Sequence, residues 1–332
     1  MPMDLSIVIV NWNGITVLRD CLASVYGISH ESDFEVIVVD NDSRDDSVAM
    51  VRREFPKVKI LCNSRNLGFA AGNNRGFASA RGRHVLLLNS DTSVLPGALD
   101  KSVKYLDDHP DVAVLGCRVE FPDRSFQTSC YRFTDPLVMF MVRLLPLGSV
   151  ANERLNYGRY WARQFAKPTD VDVVAGCFMV VRREIISSLG GLDEDFFMYG
   201  EDEEWCARIK RAGWRVVYFP GATIIHIHRF SSRQARRALR VIECMSPMLV
   251  LHKRRGHAAA WLGNLIMLGA MLARIPVWLI LDFVHILRGS AQKGLLQSRF
   301  VAIAAHIRGI FRPVWRPVKP EAAVASDDPA VT

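Results

Sequence analysis

The chain has 332 residues, a formal net charge of +8 and a mean hydropathy of +0.11, and half of its residues are hydrophobic. This length allows one large domain with an appended segment, and the hydropathy is high for a soluble enzyme. The seven cysteines are scattered and form no CxxC pair, which argues against a disulfide scaffold or a zinc site and favours reduced thiols in the cytosol.

The positive charge belongs to the C-terminal part of the chain. Residues 1–228 carry 26 Lys and Arg against 29 Asp and Glu, whereas residues 229–319 carry 16 against 2. A segment this basic suits nucleic acid or an anionic membrane surface. Its basic residues are interleaved with long aliphatic runs, which favours the membrane surface and argues against nucleic acid.

The first 90 residues alternate short apolar runs with helical segments. Strands are predicted at 5–10, 35–39, 58–61 and 84–88, with helices at about 15–27, 45–54 and 70–80 between them. Alternation at this spacing predicts βαβ units and therefore an α/β fold with a doubly wound, mostly parallel sheet.

Three of these strands end in polar residues. Asn11 and Asn13 follow the first strand, Asp40 and Asn41 the second, and Asp91 the fourth. Ligands of open parallel sheets bind outside the carboxyl ends of the strands. A carboxylate at that edge suits a phosphate-bound Mg²⁺ or Mn²⁺, because these ions prefer oxygen ligands. The pattern predicts a nucleotide site, although a strand-end turn would also explain Asp91.

The rest of the chain is less regular. Residues 121–170 are predicted to form an irregular acceptor-side region. The other predicted elements are helices at 97–109, 184–189 and 202–212, and strands at 112–117, 171–181 (interrupted at Gly176), 215–219 and 223–227.

An almost wholly apolar stretch covers residues 258–281 and is long enough to span a bilayer. Arg274 and Pro276 disfavour a single clean span, and basic residues flank both ends. Apolar helices lying in the cytoplasmic leaflet fit slightly better, although one transmembrane or re-entrant segment remains open. The predicted organisation is a catalytic domain at 1–232, a membrane-associating helical region at 233–316 and a disordered tail at 317–332.

Four ordered motifs carry a family resemblance. The segments 6–14 (SIVIVNWNG), 38–43 (VVDNDS), 66–76 (NLGFAAGNNRG) and 191–202 (GLDEDFFMYGED) resemble glycosyltransferase family 2, in particular its rhamnosyltransferase-like branch. The resemblance covers roughly residues 5–232. It implies a GT-A-type fold that binds a nucleotide-diphosphate sugar.

The resemblance also implies residue roles. Asp202 would be the general base, with Glu201 supporting it or positioning the acceptor, and Asp91 and His226 would contact Mg²⁺ or Mn²⁺. Donor-binding positions would be Asn11, Asn13, Asp40, Asn41, Asn66, Gly68, Asn73, Asn74 and Ser90. Ser90 stands where many relatives have proline, and a two-carboxylate DxD motif is absent.

Plain structural explanations stand beside these roles. His226 on a strand could be a hydrogen-bonded core residue, and acids at a helix start could simply complement the helix dipole. The predicted function is inverting, metal-dependent transfer from a dTDP- or UDP-sugar, with dTDP-rhamnose a candidate, to a lipid-linked or oligosaccharide acceptor at the cytoplasmic membrane face, in cell-envelope polysaccharide synthesis. The alternatives are a sugar nucleotidyltransferase, or a non-catalytic membrane-bound nucleotide-sugar sensor or scaffold.

Overall fold

The computed structural model describes residues 3–144, 166–227, 236–287 and 295–311, so the tail predicted at 317–332 lies outside the described residues. The chain divides into two compact units. The first, the sheet unit, comprises residues 1–133 and 156–234. The second, the helical unit, comprises residues 134–155 and 235–332.

The first seven elements follow the predicted alternation of strand and helix. They are β1 (Leu5–Asn11), α1 (Ile15–Tyr26), β2 (Phe34–Asp40), α2 (Ser47–Glu54), β3 (Lys59–Cys62), α3 (Gly68–Phe77) and β4 (His84–Leu88). α3 starts two residues before its predicted position and ends three residues before it.

The second part of the chain has more and shorter elements than predicted. They are β5 (Thr92–Val94), α4 (Ala98–Asp108), β6 (Val112–Glu120), β7 (Phe126–Gln127), β8 (Cys130–Tyr131), α5 (Pro136–Leu144), β9 (Thr169–Asp170), β10 (Val173–Val174), β11 (Phe178–Arg182), α6 (Arg183–Leu189), α7 (Glu201–Arg211) and β12 (Arg215–His226). Of these, α5 belongs to the helical unit.

The strands form a large sheet in the order β3-β2-β1-β4-β11-β6-β12-β5, with β7 beside β6 and β9 beside β12. β3, β2, β1 and β4 are mutually parallel, and β6 is parallel to β12. β11 lies antiparallel between β4 and β6. The predicted α/β doubly wound, mostly parallel architecture is therefore confirmed for the long strands.

The structure confirms one prediction for the later part of the chain and contradicts two. The strand predicted at 171–181 with an interruption at Gly176 is present as two strands, β10 and β11, on either side of that glycine. The strands predicted at 215–219 and 223–227 form the single strand β12, whose register shifts between Phe219 and Thr223. That shift accommodates Pro220, which cannot donate to a regular ladder. The segment predicted as irregular at 121–170 contains β7, β8, α5 and β9.

Apolar side chains fill both faces of the sheet. Ile7 and Ile9 of β1 belong to one core, which α1, α2 and α4 complete. Val8 points to the other face, where it shares a core with Phe77 and Trp205 of α3 and α7. Because side chains alternate along a strand, a sheet covered on both faces needs continuous apolar runs, as β1 and β4 have. Because helices cover both faces of the sheet, a ligand can reach it at the carboxyl ends of the strands.

The helical unit contains α8 (Arg236–Arg255), α9 (His257–Leu287) and α10 (Leu295–Phe311) in addition to α5. Its described core is rich in methionine, with Met245, Met248 and Met267 packed together. Asn264 and His306 are fully buried and hydrogen-bonded at 2.9 Å. Residues 257–276 of α9 are long and apolar enough to cross a membrane by length and composition.

Candidate active site

Asp91 and His226 meet at the carboxyl edge of the sheet. Oδ1 of Asp91 lies 3.1 Å from Nε2 of His226, and both residues are buried. The backbone enforces this meeting, because β12 pairs with β5 so that His226 lies opposite Thr92. The amide of Ile227 also donates to the carbonyl of Asp91 at 3.0 Å. The structure thus brings together the two residues predicted as metal ligands.

Gln127 holds the His226 ring through its second nitrogen. Its side-chain Oε1 lies 3.2 Å from Nδ1 of His226, so the ring is gripped between Gln127 and Asp91. A neutral imidazole that donates from Nδ1 to this oxygen leaves Nε2 as a metal ligand. Orienting a ligand histidine through its other nitrogen is common at metal sites.

The two side chains are compatible with a divalent cation. They offer one carboxylate oxygen, a ligand type that suits Mg²⁺ and Mn²⁺, and one imidazole nitrogen, a ligand type that suits first-row transition ions. Among the described residues no group of three His, Cys, Asp or Glu side chains gathers at one point. Further ligands would have to come from elsewhere, and the phosphate oxygens of a nucleotide are the natural source.

Asp202 and Glu201 open helix α7 in different surroundings. Glu201 is buried, and its Oε2 has no hydrogen-bond partner within the described parts of the chain. Burial, and after it the charge of Asp202, raises the pKa of Glu201 well above its usual value. Burial also raises the pKa of Asp202, while hydrogen bonds from the Glu203 and Gly176 amides oppose the rise. Dipole complementation alone does not explain a buried glutamate beside a half-buried aspartate whose pKa values are both raised.

A short backbone link joins Asp202 to the Asp91 segment. Oδ2 of Asp202 accepts a hydrogen bond from the Gly176 amide at 3.4 Å. The carbonyl of the next residue, Cys177, accepts one from the Asn89 amide at 3.1 Å. This link exists because β11 runs antiparallel to β4 and places Phe178 opposite Leu88. The carboxylate predicted as the base is therefore tied to the strand end that carries the predicted metal ligand.

The ends of β1 and β2 form a second polar cluster. Asn11 and Asp40 lie opposite each other in the ladder, and the Asn11 amide donates to Asp40 Oδ1 at 3.1 Å. Ser43 donates to the same Oδ1 at 2.6 Å and receives the Asn13 amide at 2.9 Å. Oδ1 of Asn11 is fully buried and has no hydrogen-bond partner within the described residues. Because this oxygen is enclosed by the protein, a direct donor contact of Asn11 stays a prediction.

Asn41 ties this cluster to the start of α3. Its amide donates to the Gly68 carbonyl at 2.9 Å, and its Oδ1 accepts from Asn63 at 2.6 Å. Asn63 in turn accepts a hydrogen bond from Arg75. Since both ends of the buried Asn41 amide are used, the structure gives it a positioning role for the loop.

The remaining predicted donor positions lie on or beside α3 and β4. Asn66 accepts from the Gly68 amide at 2.9 Å, and Asn73 donates to the Phe69 carbonyl at 2.9 Å. Asn74 binds both backbone groups of Leu192, at 2.8 and 2.9 Å. Ser90 is buried beside Asp91. Asn73 and Asn74 thus have structural partners, and direct donor contacts for all nine positions remain predictions.

Helix α3 also holds the segment 191–200 that precedes α7. The Phe69 amide donates to the Phe197 carbonyl at 2.7 Å. Gly68 has a φ of +83°, and a Cβ there would lie 2.3 Å from that same carbonyl oxygen. Only glycine fits this close, left-handed position. Together with the Asn74–Leu192 contacts, this fixes the segment at two points on α3.

Sequence reasoning missed three residues that shape the site: Asn63, Asn89 and Gln127. Gln127 lies in a two-residue strand, too short for periodicity to reveal. Asn89 was visible within the strand-end motif, and its Nδ2 lies 3.4 Å from Nε2 of His226. Asn63 follows β3 directly, so the rule that polar residues at strand ends form the site could have found it.

The family model for glycosyl transferase family 2 matches residues 6–190, more than half of the chain. The chain belongs to this family. This glycosyltransferase is 26% identical over 244 residues to N-acetylglucosaminyl-diphospho-decaprenol L-rhamnosyltransferase of Mycobacterium tuberculosis, a match that covers 67% of this chain and 75% of that protein. It is 30% identical over 230 residues to the O-antigen biosynthesis protein RfbC of Myxococcus xanthus, covering 66% of this chain and 17% of that protein.

Two solved structures share the fold of this glycosyltransferase. GalNAc-T7 with UDP, GalNAc and Mn²⁺ aligns with a TM-score of 0.54 at 18% identity, covering 69% of this chain and 44% of that one. The mannosyltransferase PcManGT from Pyrobaculum calidifontis, in complex with GDP-Man and Mn²⁺, aligns with a TM-score of 0.53 at 18% identity, covering 94% and 89%. The predicted family, GT-A fold and transferase class are confirmed.

Proposed function

We propose that this glycosyltransferase uses a divalent cation to transfer one sugar, with inversion, from a dTDP- or UDP-sugar to a hydroxyl of a lipid-linked glycan. Its place would be the cytoplasmic face of the membrane, in cell-envelope polysaccharide synthesis. The observation that carries the proposal is the joint placement of Asp91, His226 and Asp202. Asp91 Oδ1 and His226 Nε2 lie 3.1 Å apart, one short backbone link from the half-buried Asp202 carboxylate, whose pKa is raised.

The residues divide the work. Asp91 and His226 would hold Mg²⁺ or Mn²⁺, which when bound neutralises the diphosphate of the donor. Asp202 takes the proton of the acceptor hydroxyl as its oxygen attacks the anomeric carbon. The bond from that carbon to the diphosphate oxygen breaks, and its electron pair leaves with the nucleotide. Attack from the face opposite the leaving group inverts the anomeric configuration.

Environment suits Asp202 for this role. A base works best when its pKa lies near the working pH, and burial raises the pKa of Asp202 toward that range. The Gly176 amide orients the carboxylate without neutralising it. Glu201 shares the enclosure, and its raised pKa favours the neutral form, which leaves the negative charge on Asp202.

The names of two relatives support the proposed donor sugar, acceptor and role in polysaccharide synthesis. The name of the M. tuberculosis relative specifies a rhamnosyl donor and a diphospho-decaprenol acceptor, and the M. xanthus relative belongs to O-antigen biosynthesis. The chain spans only 17% of the latter, so the rest of that protein has no counterpart here. The basic segment 229–319 is consistent with an acceptor presented at an anionic membrane.

The first test is thermal unfolding with dTDP, UDP or GDP, each with and without Mn²⁺. A nucleotide at a hundredfold excess over its dissociation constant should stabilise the protein by about 2.7 kcal/mol. We expect a Mn²⁺-dependent shift with one nucleotide and its loss in Asp91→Ala. Asp108→Ala, which removes an exposed carboxylate on α4, is the control and should keep the shift. The absence of any shift with all three nucleotides would contradict the proposed donor site.

A further inference from the structure

We propose that the protein docks on an anionic lipid bilayer through one exposed face of α9, with the axis of this helix parallel to the membrane surface. This inference rests on the proposed membrane-side function and names the surface that would make the contact. The face, called here the α9 apolar face, consists of Ala258, Trp261, Leu262, Leu265, Gly269, Leu272, Ala273 and Pro276.

The α9 apolar face is continuous and carries no charge. All eight of its residues are exposed, and Trp261, Leu262 and Leu272 are 46–48% exposed. At 100° per residue they fall on one side of the helix, within an arc of about 120°. Between residues 258 and 276 every exposed position is apolar, whereas a solvated helix normally presents charged or polar groups outward.

The two units differ in how many large apolar side chains they expose. Among the described residues, Tyr131 and Ile227 are the exposed large apolar side chains of the sheet unit. The helical unit, though smaller, contributes the other eight, which include Leu137 and Phe140 of α5 and Phe311 of α10. Large contiguous apolar exposure on one part of a molecule marks an interaction surface.

The opposite side of α9 is already occupied within the helical unit. Ala260 and Met267 are buried against Met245, Met248 and Leu251 of α8. Asn264 is fully buried and hydrogen-bonded to His306 of α10. A lone transmembrane α9 would have to give up these contacts and place Asn264 in hydrocarbon. Docking along the membrane surface keeps the contacts of α9 with α8 and α10 and buries only the α9 apolar face.

Charge selects the bilayer over a second copy of the chain. Residues 229–319 carry 16 basic against 2 acidic residues, so two copies of this segment would repel each other, whereas anionic headgroups would attract it. The last turn of α8 contributes His252, Lys253, Arg254 and Arg255, directly before α9 begins at His257. An apolar face that begins beside a basic cluster is the pattern of a helix lying in the membrane interface.

The test is co-sedimentation of the purified full chain with phosphatidylglycerol–phosphatidylcholine vesicles and with pure phosphatidylcholine vesicles. We expect at least tenfold stronger binding to the anionic vesicles, and release by alkaline carbonate. The double variant Leu265→Glu/Leu272→Glu should lose at least tenfold of this binding. Lys104→Glu, an exposed change on α4 with the same net change of −2 in charge, should alter binding less than twofold.

Several outcomes would overturn the proposal. Unchanged binding of the double variant would show that the α9 apolar face is not the contact, and equal binding to both vesicle types would remove the role of anionic lipid. Resistance of the wild type to carbonate would indicate a span. A dimer in sedimentation that the double variant abolishes would make the face a self-association surface.

Separate control experiments show whether a variant still folds and still binds the nucleotide. The milder pair Leu265→Ser/Leu272→Ser should also weaken vesicle binding if the apolar contact matters. Nucleotide-dependent thermal stabilisation, measured on each variant, reports on the fold and the donor site. Loss of vesicle binding with this stabilisation intact supports the docking face, whereas a wild type that binds vesicles but no nucleotide contradicts the proposed function alone.

Discussion

The carboxyl edge of the sheet and the α9 apolar face depart from ordinary burial in opposite directions. At the sheet edge, polar and titratable side chains such as Glu201 and His226 are buried. On α9, leucines and a tryptophan are exposed. Each departure costs folding free energy, because burying carboxylates and exposing apolar surface are both unfavourable. Such costs point to function, and under the two proposals the sheet edge would carry the transfer chemistry and the α9 apolar face the contact with the membrane.

This contrast gives a cross-test for every variant. Substitutions at the sheet edge should change nucleotide binding or turnover and leave vesicle binding unchanged. Substitutions on the α9 apolar face should do the reverse. A variant that changes both readouts while remaining folded would break the separation.

The largest effect is expected for Asp202→Asn. It removes the carboxylate proposed to take the acceptor proton, so turnover should fall by about 10²–10⁴-fold, the usual contribution of a general base. Nucleotide-dependent thermal stabilisation should remain, because the amide keeps the shape of the side chain. Glu203→Gln, one position along the same helix, is the matched control. Wild-type turnover in Asp202→Asn would rule out Asp202 as the base.

Gly68→Ala should destabilise the sheet unit by several kcal/mol. The new Cβ meets both a left-handed backbone and the Phe197 carbonyl at 2.3 Å. Gly213→Ala is the matched control, since its φ is +90° and nothing lies within 4 Å of the added atom. It should cost about 1–2 kcal/mol, from the backbone alone. If urea unfolding gave the same loss of unfolding free energy for Gly68→Ala and Gly213→Ala, the contact between α3 and residues 191–200 would contribute nothing to stability.

Gln127→Leu tests the orientation of His226. Without the acceptor at Nδ1 the ring can turn or change tautomer, so apparent Mn²⁺ affinity should fall by about 10–100-fold. The Mn²⁺ concentration that gives half of the nucleotide-dependent thermal shift measures this. Gln127→Glu retains an acceptor and should stay close to the wild type. A Leu variant with unchanged Mn²⁺ dependence would argue against the orienting hydrogen bond.

Glu201→Gln should change how the stability of the protein depends on pH. The raised pKa of Glu201 means that the folded protein holds a proton that the unfolded chain releases. Wild-type stability therefore falls as pH rises from the ordinary carboxyl range toward the folded pKa, by up to about 1.4 kcal/mol per pH unit. Glutamine does not titrate, so its stability relative to wild type should improve between pH 5 and pH 8 in urea titrations. A pH-independent difference would contradict the burial of this carboxyl.

The early part of the fold was predictable because β1 to β4 are apolar runs that end in polar residues, with helices of regular period between them. The later part was not, because β5, β7, β8, β9 and β10 have two or three residues each, too few to show a period. The direction of β11 was hidden as well. Nothing in its sequence distinguishes a parallel from an antiparallel neighbour of β4, since both are buried on two faces.

In the candidate site, too, some residues could be predicted from the sequence and others could not. Asp91 was predicted from its position at a strand end and His226 from the resemblance, and the β5–β12 pairing explains why residues 135 positions apart in the chain meet. The burial of Glu201 could not be read from the sequence, because an acid in the first turn of a helix is usually solvated. Gln127 could not be found because its partner comes from a distant part of the chain, and only the assembled sheet brings them together.

The double attachment of residues 191–200 to α3, through Leu192 and Phe197, bears on how such enzymes can be recombined. A chimaera that exchanges this segment alone would pair a new Phe197 carbonyl with an old Gly68 and a new Leu192 with an old Asn74. The smallest transferable module is therefore the segment with α3, two pieces more than 100 residues apart in the chain. Libraries that vary acceptor choice should keep these two pieces from the same parent.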